Sequence, residues 1–132
     1  MAKTHSKHNF DVCDFLLQDG RFYDWVITTA FYSALHHVQE EIFPFIDKDG
    51  NSYSTFEQYF SKSRRDGNKI SKHKLTIKLV EQQINGAGTL YRQLHDMCRT
   101  CRYRNYIVSK KKANVAKSYL DKILKLSASN GD

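Results

Sequence analysis

The sequence predicts an all-α fold, an antiparallel bundle of four to five helices. Three observations carry this. Apolar residues recur at three- and four-residue spacing through most of the chain, which is one face of an α-helix. Glycines and the single proline fall between the periodic segments rather than within them. No two segments alternate with period two cleanly enough to pair as a sheet. The 132 residues, 40% hydrophobic and 27% charged, match one globular domain, with its core expected over about 5–127.

Phe10, Cys13, Leu16 and Leu17 mark a first helix that should end at Asp19-Gly20. A longer second helix is expected from Tyr23 to Ile42. Val26, Ile27, Ala30, Phe31, Ala34, Leu35, Val38 and Ile42 form its broad apolar stripe, and Pro44 marks its end. Residues 47–69 read as a polar connection around the aromatic stretch Tyr53–Phe60, whose conformation the pattern leaves open. Ile70, His73, Ile77, Val80 and Ile84 define a third helical face, interrupted at Asn85-Gly86-Ala87-Gly88. Leu90, Tyr91, Leu94, Cys98 and Cys101 line a fourth. A last helix should follow Ser109, with Ala113, Ala116, Leu120, Ile123 and Leu124 inward and a frayed polar tail from Ser127.

The net charge is +7, but it is unevenly spread. Residues 1–60 hold 4 basic and 9 acidic side chains, and residues 61–132 hold 17 and 5. Such asymmetry points either to a surface for a polyanion or to an acidic half that neutralises the basic one, within the fold or across a dimer. No apolar run approaches the ~20 residues that span a bilayer, and the opening residues are no secretory signal. A cytoplasmic protein without a membrane segment is expected. Cys13, Cys98 and Cys101 are an odd number and predict no disulfide framework.

Two regions could carry chemistry. On the second helix Trp25, Thr29, Tyr32, Ser33, His36 and Glu40 share one side. They would serve either the mouth of a groove or a helix seam with satisfied polar atoms, and His73 has the same two readings. The tract Arg92–Lys112 is strongly basic, with Arg92, Arg99, Arg102, Arg104, Lys110, Lys111 and Lys112 against Asp96 alone. His95, Arg99 and Arg102 share a helical side, with Tyr103 and Tyr106 nearby. Arginine interleaved with aromatic residues suits phosphate contact and base stacking. Asp96 has the spacing to bridge Arg92 and Arg99. With Ser109 as cap, Lys110–Lys112 occupy a first helical turn, where the dipole disfavours cations and an anion would offset them. The lone Cys98-Arg99-Thr100-Cys101 is half a zinc site at most, so no metal and no cofactor are expected, and the thiols read as core.

The run Asp24-Trp25-Val26-Ile27-Thr28-Thr29-Ala30-Phe31-Tyr32-Ser33-Ala34-Leu35-His36 resembles the second helix of HEPN-domain proteins. So does Tyr91-Arg92-Gln93-Leu94 with the later Cys98-Arg99-Thr100-Cys101-Arg102-Tyr103-Arg104-Asn105-Tyr106. The resemblance implies a helical bundle, commonly a homodimer, that works with RNA or nucleotides. It also implies a nucleotidyltransferase partner in a toxin–antitoxin-like system. Catalytic members cut RNA without metal, using an arginine and a histidine four to six residues later. Here no histidine follows His95, so Arg99, Arg102 and Arg104 lack that partner.

The leading expectation is therefore a non-catalytic domain binding RNA or a nucleotide through Arg99, Arg102, Arg104 and Lys110–Lys112, with Trp25, Tyr32, His36 and Tyr103 as groove residues. Two alternatives stand beside it. One is a protein-interaction partner of a nucleotidyltransferase. The other is a metal-independent ribonuclease in which His36 or His73 crosses the bundle to Arg99 or Arg102.

Overall fold

The computed structural model describes residues 4–103 and 107–130, and is an all-α bundle. Six helices occur among the described residues: α1 (Thr4–Asp19), α2 (Tyr23–Ile42), α3 (Phe56–Arg65), α4 (Lys72–Gln83), α5 (Gly88–Tyr103) and α6 (Lys110–Asn130). None of them is long and apolar enough to cross a membrane.

The predicted ends of α1 and α2 hold. Gly20 supplies the positive φ of 81° that stops α1. Phe43 is extended because a residue before proline is driven out of the α region, so α2 closes at Ile42. This 20-residue helix is the axis of the molecule and packs against α1, α4, α5 and α6. Val26, Ile27, Ala30, Phe31, Ala34 and Val38 are almost wholly buried on it, beside Leu79 and Val80 of α4, Tyr91 and Leu94 of α5, and Ala113, Ala116, Leu120 and Ile123 of α6. A buried polar clasp sets α1 on α2. Ser6 Oγ donates to the Ser33 carbonyl and Ser33 Oγ to the Ser6 carbonyl, each at 2.8 Å.

Four expectations change. Residues 47–69 are not merely a connection: they hold α3 and part of a small hairpin, β1 (Phe45–Ile46) paired with β2 (Ser52–Tyr53). Two-residue strands are too short to show periodicity. Their stability comes from Asp47, which accepts the Asp49 and Asn51 amides at 2.9 Å and the Tyr53 hydroxyl at 3.1 Å. It comes also from the rings of Phe43, Phe45, Tyr53, Phe56 and Tyr59, packed edge to face. Second, α4 is rotated relative to its predicted face. Leu75, Thr76, Leu79 and Val80 are buried, Ile77 is only partly so, and His73 is exposed. Third, α6 runs to Asn130, with Ser127 buried and its hydroxyl donating to the Ile123 carbonyl, so the tail does not begin at Ser127. Fourth, six helices replace the four to five expected.

The α4–α5 approach depends on Gly88. A Cβ there would lie 2.6 Å from Glu81 Cγ and 3.2 Å from Glu81 Cα. The absent side chain lets the two helices meet.

Candidate nucleic-acid interface

The outward side of α2 is where the predicted residues gather. Trp25 and Tyr32 lie two helical turns apart and are 43% and 41% exposed. They are held there because the opposite side of the helix is committed to the core. Thr29 stands between them with its hydroxyl satisfied by the Trp25 carbonyl at 2.7 Å. From α5, Arg102 lays its guanidinium over the Trp25 ring, 4.4 Å from the centroid. One turn beyond Tyr32, half-buried His36 meets the His5 ring of α1 at 5.3 Å.

Phe31, the buried neighbour of Tyr32, builds a second cluster. Its ring contacts Tyr32 at 5.4 Å, Tyr91 at 5.6 Å, His95 at 5.3 Å and His73 at 5.8 Å. His73 of α4 and His95 of α5 face each other with centroids 4.6 Å apart. Arg99, one turn past His95, is close enough for its charge to act on both. Three imidazoles are thereby held below the ordinary histidine range. Partial desolvation, where each ring packs against its neighbours, is the main cause in each case, followed by His5 for His36, Arg99 for His73, and His73 for His95. Tyr91 is different: its hydroxyl is fully buried, without a hydrogen-bond partner among the described residues, and burial raises its pKa. It belongs to the core.

Among the described residues Arg99, Arg102, Lys110, Lys111 and Lys112 form no ion pair. Within the described residues the acidic half reaches the basic one elsewhere, at Glu57 and Lys72, 3.1 Å apart. Asp96 does not bridge Arg92 and Arg99. Arg92 instead reaches Glu81 of α4 at 3.0 Å, and Asp96 lies 3.8 Å from His95 Nδ1.

The basic tract is divided between two places. Ser109 caps α6 by accepting the Lys112 amide at 3.1 Å, so Lys110–Lys112 do occupy the first turn. Lys111 and Lys112 border a cavity of about 570 Å³ whose walls include Ile27, Met97, Cys101 and Val108. Arg99 and Arg102 do not line it. Arg104, Tyr106 and the Tyr103 side chain lie outside the described residues. The three thiols are buried and free, and burial pushes Cys13 up to about 11. No group of three metal-ligating side chains occurs among the described residues. A polar concavity of about 780 Å³ beside the hairpin, bordered by Asp47, Lys62 and Asp66, contains none of the predicted residues.

No family model, curated protein or solved structure matches this chain. Its function has to be read from the geometry above. The sequence singles out Trp25, Tyr32, His36, His73, Arg99 and Arg102, which the structure places on or beside this side of the bundle. It gives no sign of His5, and it sets His95 beside Arg99 and Arg102 without making it a site residue. His95 had a local signal, its shared side with Arg99 and Arg102. The contact between His73 and His95 had none, because it joins two helices whose rotation depends on the core.

Proposed function

We propose that the protein is a HEPN-like helical domain that binds RNA across the open side of α2. The observation that carries this is the exposed Trp25 ring with Arg102 stacked on it, a cation without an ion pair among the described residues, beside an aromatic surface. An unpaired base can stack on the guanidinium plane that covers the ring while the edge N–H groups of Arg102 meet phosphate, and each stacked base contributes about 1–3 kcal/mol. Tyr32 extends the aromatic surface, and Arg99 extends the charge. Lys110–Lys112, at the start of α6, offer a second phosphate contact.

Trp25 is the sole tryptophan, so its fluorescence reports directly on the site. Short single-stranded RNA should quench it. Affinity should fall steeply with salt, in proportion to the phosphates neutralised. Arg102→Ala should weaken binding about tenfold and lower the salt slope by roughly one. Binding indifferent to salt, or unaffected by Arg102→Ala combined with alanines at Lys110–Lys112, would reject the reading.

The His73–His95 contact favours a second reading, metal-independent RNA cleavage. One imidazole would take the proton of a 2′-hydroxyl, whose oxygen attacks phosphorus. The other would protonate the departing 5′-oxygen, leaving a 2′,3′-cyclic phosphate, with Arg99 stabilising the phosphorane charge. Labelled RNA incubated in chelator tests it. Cleavage should fall about a hundredfold or more in His73→Gln, and intact RNA at high protein concentration ends this reading.

A further inference from the structure

We propose that His73, His95 and Arg99 form a phosphate site that takes up about one proton when it fills. This rests on the reading of the α2 side as a surface for RNA and adds how that surface is regulated. Two imidazoles from different helices lie ring against ring at 4.6 Å, over the uncharged Phe31 ring. Among the described residues, the charged and titratable groups that act on them are each other, Arg99 and Asp96. Asp96 is exposed and 3.8 Å from His95 Nδ1, so it compensates only one ring, and only partly. Among the described residues the cluster thus holds two imidazoles, one guanidinium and one solvated carboxylate.

In the free protein this arrangement disfavours charge on either imidazole. Burial and the Arg99 guanidinium both oppose a further positive charge. A phosphodiester beside Arg99 reverses the sign of the local field. A proton entering either ring then gains an anionic partner and becomes a charge-assisted donor to it. The second proton remains opposed, because two charged rings at this separation repel strongly. The pair therefore titrates as a unit and gains one proton rather than two. By linkage, a ligand that raises the proton affinity of the site binds more tightly as pH falls.

The test uses thymidylyl-(3′→5′)-thymidine, whose single charge is constant between pH 5 and 8 and which has no 2′-hydroxyl to be cleaved. Its uncharged methylphosphonate analogue is the control. The ring C2–H resonances of His73 and His95 are followed by NMR against pH, and Trp25 fluorescence is read on the same samples. The diester should raise the shared midpoint, and the methylphosphonate should leave it in place. Diester affinity should rise by up to about tenfold per pH unit over the titration range. In ligand-free Arg99→Gln the midpoint should already be higher than in the parent protein, an effect that a merely structural arginine would not produce. His73 is exposed, so His73→Gln should fold normally and leave His95 with a single midpoint that the diester still raises, whereas His73→Gln together with His95→Gln should lose most of the pH dependence. Trp25 quenching by the diester with unmoved imidazole midpoints would overturn the proton-coupled site and leave the RNA reading intact. Raised midpoints in a protein that binds no RNA would do the reverse. No response to millimolar diester by either signal would overturn the site.

Discussion

Ser6 and Ser33 are two small residues whose hydroxyls each close on the other's carbonyl in the seam between α1 and α2. The exchange fixes where α1 lies along α2, and so brings His5 to His36. Ser33→Ala removes one hydrogen bond and leaves the Ser6 carbonyl without that donor in a buried place. We expect a loss of about 1–3 kcal/mol in urea unfolding, together with a change in the His36 titration. Among single residues, legibility followed exposure to local pattern. Trp25, Tyr32 and His36 stood out because one helix displays all three. His5 could not be found that way, since its importance comes from a contact made across the seam. Nor could the exposure of His73, whose spacing from Ile77 and Val80 resembles that of a core position although Leu75 and Leu79 are what the core takes.

At the scale of elements, α6 carries a conflict that its own sequence displays. Ser109 satisfies an amide of the first turn, while Lys110, Lys111 and Lys112 place three positive charges at the positive end of the helix dipole. Ser109→Ala should cost about 1 kcal/mol by thermal or chemical unfolding. Lys111→Glu should stabilise by about 0.3–1 kcal/mol at low salt and by less at high salt, while weakening RNA binding if the turn contacts phosphate. The boundaries of α2 were readable because a long apolar stripe ends against Pro44. The hairpin and α3 were not, because they are held by a knot of Phe and Tyr rings and by the Asp47 turn. Such contacts join residues whose sequence reads only as polar and aromatic, with no period to reveal them. The split of the basic tract was equally hidden, since it depends on which side of α5 each residue faces.

For the whole molecule, the lowered pKa values of His36, His73 and His95 have a definite sign. Each takes its proton less readily folded than unfolded, so below the ordinary value of 6.5 the unfolded chain binds more protons. Stability should therefore be full above pH 7 and decline as pH falls through 6.5 toward the lowered folded values. Melting temperatures measured from pH 8 to 5 should show this decline, and His36→Gln should reduce its slope. A melting temperature that stays constant or rises over that interval would contradict the partial desolvation of these rings. RNA binding by the same protein should strengthen over the same interval, so acidification should loosen the bundle while tightening its hold on phosphate.

Gly88 touches no ligand in any of these readings, yet it sets the gauge between α4 and α5. A methyl group there would press on the Glu81 side chain at 2.6 Å and on its backbone at 3.2 Å, so the Glu81 side chain would have to turn aside and α4 give slightly at that end. In Gly88→Ala the imidazoles of His73 and His95, at the other end of α4, should couple less strongly, and their titration by NMR should come closer to that of two separate groups.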